Sequence, residues 1–185
     1  MAIDSTEIRV GISGSVHVAP LGTTVPDDAT TALDAAFIDL GAITEDGIAL
    51  SPSRSIEKIR AWQSAKAVRT VVTEDELSIA FSLMQWNADS IDLVFGGGTF
   101  SVANTTETQY VPPAAGTIDE RIFVFEWVDG DVSNRLLVPR GMVSEIGEIA
   151  VVKTSAIELA MTVEVLGSTP DDFVYFTDDA NVPNA

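Results

Sequence analysis

The chain has 185 residues, enough for one domain with a substantial core, and 46% of them are hydrophobic. It carries 28 acidic residues against 10 basic ones, a net charge of −18, so it repels polyanions and lacks the basic surface that generic nucleic-acid binding needs. Cysteine is absent and His17 is the single histidine, which excludes disulfides and thiolate chemistry and leaves no zinc-ligand set.

No apolar run approaches the roughly 18 residues that span a bilayer. Met1–Glu7 has neither the basic start nor the apolar stretch of a signal peptide, so none is expected. Residues 1–13 are polar and mixed and are expected to form an arm. Gly14–Ala19 reads as a short strand that stops at Pro20, followed by a loop through Asp28. Thr30 or Thr31 is placed to cap a short helix over Ala32–Ala36. Glu45-Asp46-Gly47 reads as a hairpin turn, because Asp-Gly tolerates positive φ. Ile48–Ser55 contains Pro52 and is expected to be an edge strand or a loop.

Ile56–Trp62 fits neither the helical nor the strand period. Val68–Thr73 is β-branched and strand-like, Glu74-Asp75-Glu76 reads as a charged turn, and Leu77–Trp86 alternates cleanly. Asn87 is placed to cap a helix whose apolar stripe is Ala88, Ile91, Val94 and Phe95, and Gly96-Gly97-Gly98 to stop it. Phe100–Ala103 is a short strand and Thr105–Gly116 a loop. Ile118–Val128 is a strong strand closed by a hairpin turn at Asp129-Gly130. Asn134–Val138 returns and is interrupted at Pro139 and Gly141. Met142–Val152 and Ala156–Leu166 form a further pair, with Leu159, Met161 and Val163 facing the core. Phe173–Phe176 is a short strand before a polar tail. The fold class is therefore mainly β, a β-sandwich or half-open barrel with one short flanking helix.

No catalytic constellation stands out. His17 lies mid-strand, where an ordinary structural histidine is the economical reading. The acid pairs Asp27-Asp28, Glu45-Asp46, Asp171-Asp172 and Asp178-Asp179 sit in turns or tails, and Asp129-Gly130-Asp131 lacks the rest of a calcium-loop pattern. Gly96-Gly97-Gly98 follows its helix and has no Gly-Lys-Ser/Thr, so it is no phosphate loop. Neither a metal nor a cofactor is expected. Arg54, Lys58, Arg60, Lys66 and Arg69 are half of the chain's basic residues. On so acidic a chain, they and Trp62 are the expected contacts to the acidic surface of an identical neighbour. Such a head-to-tail contact closes into rings or continues as a filament.

Several phrases carry a resemblance: Gly14–Thr23, Pro26–Ala29, Ala35–Gly47, Ile59–Gln63, Val68–Thr70 and the strand, helix and glycine stop of Phe81–Gly98. Through them the chain resembles the major tail tube proteins of long-tailed, siphophage-type bacteriophages. The resemblance implies a non-enzymatic virion protein, made in the host bacterial cytoplasm and located in the tail. It implies hexameric rings that stack into a tube, with subunit sheets joined into an inner barrel and genome DNA passing through the lumen. Implied partners are further copies, other tail proteins and the tape measure protein, with no membrane. The expected organisation is an N-terminal arm over 1–13, a tail-tube β domain over 14–167 and a C-terminal arm over 168–185. The alternative is a non-catalytic β-sandwich that binds a ligand or carbohydrate through Trp62, Trp86 and Trp127.

Overall fold

Ile122-Phe123-Val124-Phe125 is a continuous apolar run, and all four residues are buried. An alternating strand can bury only one face, so this run belongs to a strand covered on both. The computed structural model, which describes residues 7–167 and 171–182, shows what covers it. The strands are β1 (Ser13–Pro20), β2 (Ile38–Asp39), β3 (Ile43–Arg60), β4 (Ala67–Leu83), β5 (Thr99–Asn104), β6 (Glu107–Val111), β7 (Glu120–Asp129), β8 (Val132–Ile146), β9 (Leu159–Val165) and β10 (Val174–Thr177). The helix α1 covers Ala88–Val94. The main antiparallel sheet runs β2-β1-β7-β8-β9-β4-β3, with β10 also on β8, and β5-β6 form a separate hairpin.

β8 makes the sandwich. β10 pairs with it along Asn134–Leu137, and β9 pairs with it along Gly141–Ile146. The expected break at Pro139 and Gly141 is thus no break. The strand continues and passes from one layer to the other there, with a register shift against β7. Gly141 fits because a Cβ would meet the side chains of Val163, Phe123 and Val138 at 3.0–3.2 Å. Between the layers, Val16, Phe123, Phe125 and Val138 pack against Ile79, Phe81, Leu83, Leu159, Met161 and Val163. Phe81 meets Phe125 edge to face at 5.6 Å, joining the two layers. On the other side of β7, Ala19, Ile122, Val124 and Leu137 are covered by Leu33, Phe37, Val174 and Phe176.

Leu33 and Phe37 come from the loop between β1 and β2. The helix expected over Ala32–Ala36 does not form. Asp28 accepts hydrogen bonds from the backbone N–H groups of Thr30 and Thr31 and from the Thr31 hydroxyl, which fixes a turn instead. α1 does form as expected. Asn87 accepts from the Ser90 N–H at 2.8 Å, and Ser90 Oγ accepts from the Asn87 N–H at 3.0 Å, a reciprocal cap. At the other end Gly96 N–H donates to Leu93 and Gly97 N–H to Asp92, with φ of 73° and 86°. That is a left-handed helix stop, which needs glycine. Asn87→Ala is expected to lower stability by about 1 kcal/mol, read as a shift in the thermal midpoint.

Two expected turns and one expected loop prove to hold strand. Glu45-Asp46-Gly47 lies within β3 at a register shift between Ile43 and Ile48. It bulges the strand without reversing it. Glu74-Asp75-Glu76 lies within β4, opposite Ser55, Arg54 and Ser53. The reversal is at Ala61–Lys66, so Val68–Thr73 and the strand ending at Leu83 are one strand of 17 residues. Thr105–Gly116, expected as a loop, contains β6 paired to β5.

The terminal segments meet the body where they are described. Ile12 N–H donates to Val128, and Arg9 bonds Asp179 and lies 3.9 Å from Asp129. Asp178 accepts from Ser133 N–H, and Tyr175 stacks on Trp127 at 5.8 Å. Part of the expected C-terminal arm is therefore strand β10 of the body. Residues 1–6, 168–170 and 183–185 of the expected arms lie outside the described residues.

Candidate assembly surface

β3 and β4 are 18 and 17 residues long, yet β9 pairs with β4 only along Ser78–Leu83. Beyond Ser51 and Ser78 the two strands have, among the described residues, only each other as a sheet neighbour. They leave the body as an arm over residues 51–76, in which every residue is exposed except the half-buried Ser55, Ala61 and Ser64. The tip is closed locally. Ser64 N–H donates to Ala61, Ser64 Oγ donates to the Lys66 carbonyl, and Lys66 N–H donates to Ser64 Oγ.

The weak periodicity of Ile56–Trp62 now has a cause. β3 runs unbroken through Ile56–Arg60, but it has no core on either side to select a face. Ile56 pairs with Val72 on one face, while Glu57–Val71 and Ile59–Arg69 pairs lie on the other. Ile56, Ile59, Val68, Val71 and Val72 are all exposed. Trp62 is 100% exposed at the tip. Apolar residues on both faces of a projecting hairpin mark a surface that another molecule covers.

The six residues expected to make inter-subunit contacts all lie on this arm, in two zones. Arg54, near the body, is paired with Asp75 at 2.7 Å, beside the Ser55–Glu74 hydrogen bond. Lys58, Arg60, Lys66 and Arg69 surround the tip, where Glu57 is the only acid from 56 to 70. Lys58 and Arg60 share a face with Ile56, whereas Arg69 sits opposite Ile59 on the other. The tip therefore bears a surplus of three positive charges on a chain of net −18.

Several of the other candidates have structural partners. His17 lies beside Ser15 Oγ at 3.1 Å and Glu126 at 3.3 Å. Asp129 at the β7–β8 turn accepts from Val10 N–H, Asp28 fixes its own loop, and Asp179 is held by Arg9. The tryptophans are dispersed: Trp62 is at the tip, Trp86 lies between β4 and α1, and Trp127 is in β7.

Sequence reading missed two ion-pair networks. Arg135 is only 3% exposed. It donates to Glu126 at 2.8 Å and to the carbonyls of Asp28 and Thr31 at 2.7 and 2.9 Å, pinning the β1–β2 loop to the sheet. Hydrogen bonds to Glu126 from His17 foremost, then from Arg135, hold its carboxyl at about 2 against the opposing effect of burial. Arg121 donates to Asp119 and Asp92, tying α1 to β7. Next to it the β5–β6 hairpin is anchored by Tyr110, which donates to the Gly97 carbonyl at 2.6 Å and packs on Phe95 and Phe100.

The described structure is thus a β-sandwich that projects a long exposed hairpin, with two ion-pair networks holding its loops and helix to the sheet. The family model described as phage tail tube protein matches residues 1–185, and the chain belongs to that family. No curated protein matches the chain. The chain is thus a structural protein of the virion tail, and the expected mainly β sandwich is the fold observed.

Proposed function

We propose that this protein is the major subunit of the tail tube and assembles into stacked hexameric rings whose lumen is the conduit for genome DNA. The observation that carries this reading is the β3–β4 arm, an element that makes no sense in an isolated chain. A two-stranded hairpin by itself is marginal in water, and this one exposes five aliphatic side chains and a tryptophan. A basic tip on an acidic chain supplies the complementary charge for a head-to-tail contact, which propagates into rings and tubes. The terminal segments add contacts to neighbouring copies beyond those that Arg9, Ile12 and strand β10 make within the subunit. Other tail proteins and the tape measure protein are the remaining partners, and the role involves no chemistry of its own. The acidic surface lets DNA pass without sequence-specific adhesion.

Negative-stain microscopy of concentrated protein is expected to show rings or tubes, and a particle that stays monomeric even in virions overturns the reading. Arg60→Glu with Arg69→Glu is expected to abolish assembly while circular dichroism and the thermal midpoint stay those of the unaltered monomer. Normal polymerisation of that variant would remove the basic tip from the interface.

A further inference from the structure

Where β1 and β3 face each other across the open side of the sandwich, the two strands are not hydrogen-bonded to one another. Among the described residues, β2 covers β1 only at His17 and Val18, and β3 has only β4 as a neighbour. The gap is a groove of about 620 Å³, lined among others by Ile12, Ile43, Ile48, Leu50 and Trp127. That volume is in the range of clefts that enclose an organic ligand, roughly 300–1,000 Å³. Its apolar wall is incomplete, for Ile12 is 69% and Leu50 45% exposed. Glu45 and Asp46, on the bulge of β3, stand at its rim and are exposed. Neither makes an ion pair with a described residue.

We infer that this seam groove is the receptor for the arm tip of a second copy: Trp62 enters it, and Arg60 and Lys66 meet Glu45 and Asp46. The inference rests on the reading of the arm as an inter-subunit element and names the surface that element reaches. Its chemistry matches in three respects. A fully exposed indole meets a groove of mixed polarity whose wall includes a tryptophan and four large aliphatic side chains. Among the described residues, the cations that flank the indole have no ion-pair partner, and neither do the carboxylates that flank the groove. The arm cannot serve its own groove, because Ile48 to Arg60 is twelve residues of strand, a contour of roughly 40 Å leading away from the seam. Arm and groove lie at different places on the chain, so the contact is heterologous and repeats from copy to copy.

The chain has no cysteine, so a pair introduced into the full-length protein reports this contact alone. Gln63→Cys is combined with Ser13→Cys, which keeps Trp62 intact and places one thiol beside the tip and one in the groove. Mild oxidation is expected to give a ladder of linked chains on a non-reducing gel, absent from either single variant. The paired reversal Glu45→Lys and Asp46→Lys is expected to raise the critical concentration for assembly at least about tenfold, as like charges are brought together. Adding Arg60→Glu and Lys66→Glu to the same chain is expected to restore assembly.

A second groove of about 570 Å³, which shares Asp46 with the seam groove and runs over Ala49, Ala80 and Ala160 to Thr162, supplies the control. A ladder from Gln63→Cys with Thr162→Cys instead overturns the seam groove and leaves the arm as an interface. The same conclusion follows if neither pair links while Trp62→Ala still blocks assembly. No ladder from either pair together with normal tubes from Trp62→Ala overturns both this inference and the role of the arm.

Discussion

Arg135→Ala is expected to destabilise the fold by about 3–5 kcal/mol, among the largest effects of any single substitution in this chain. The guanidinium is buried and makes hydrogen bonds to Glu126, Asp28 and Thr31. Its removal leaves a partly buried carboxylate with His17 as its main support, and it strips two backbone carbonyls of their donor. It also frees the loop that places Leu33 and Phe37 over Ile122, Val124 and Leu137. Urea denaturation at neutral pH measures the loss. Arg135→Met with Glu126→Gln is expected to recover part of it, because removing both charges avoids the unpaired one. A double variant as unstable as Arg135→Met alone would show that the carboxylate is not the source of the cost.

The same network sets the acid limit. Glu126 has its folded pKa lowered from 4.5 to about 2, chiefly by the hydrogen bond from His17 and then by Arg135. A lowered folded pKa means that the unfolded chain takes up the proton first as pH falls. The contribution is therefore fully present above about 4.5, and it is lost as the pH drops towards about 2. Asp28, Glu120 and Asp179, each lowered by its own hydrogen bonds, act in the same direction. Urea midpoints measured from neutral pH down to 2 are expected to fall less steeply for Glu126→Gln than for the unaltered protein.

Much of the sandwich was legible because its signals are local. Leu77–Leu83 and Leu159–Val165 alternate with one core to face, and Asn87 to Gly98 carries both helix boundaries in its own residues. Failures came where a residue's usual preference was overridden by a partner far along the chain. Glu74-Asp75-Glu76 looks like a turn, but Ser53–Ser55 of β3 pair with it in a ladder. Asp46-Gly47 looks like a reversal, but the strand bulges through it. Pro139 looks like a stop, but it falls where β8 changes layers. The Arg135–Glu126 pair was within reach. Counting outward from Gly130-Asp131, Asp129 faces Val132 and Glu126 faces Arg135, so a hairpin register placed opposite charges side by side in an apolar pair of strands. The basic cluster was visible as composition. Its division between a paired Arg54 and a tip of four cations without an ion-pair partner among the described residues needed the strand register.

Replacing residues 51–76 by a short turn is expected to abolish assembly completely while the thermal midpoint of the remaining domain changes little. Those residues lie outside both apolar clusters of the core, and β9 pairs only with residues nearer the body. The arm nevertheless holds Trp62 and the aliphatic residues Ile56, Ile59, Val68, Val71 and Val72, all exposed. At roughly 25 cal/mol per Å² of apolar surface removed from water, covering them contributes several kcal/mol to each contact between copies. Hydrogen exchange separates this from a merely ordered hairpin. In the dilute monomer the amides of residues 56–72 are expected to exchange much faster than those of β7, since the arm opens without opening the core. In assembled material the same amides are expected to become protected, while those of β7 change little. Equal protection of the arm in both states, or tubes built by the shortened chain, would show that the arm is finished within its own subunit.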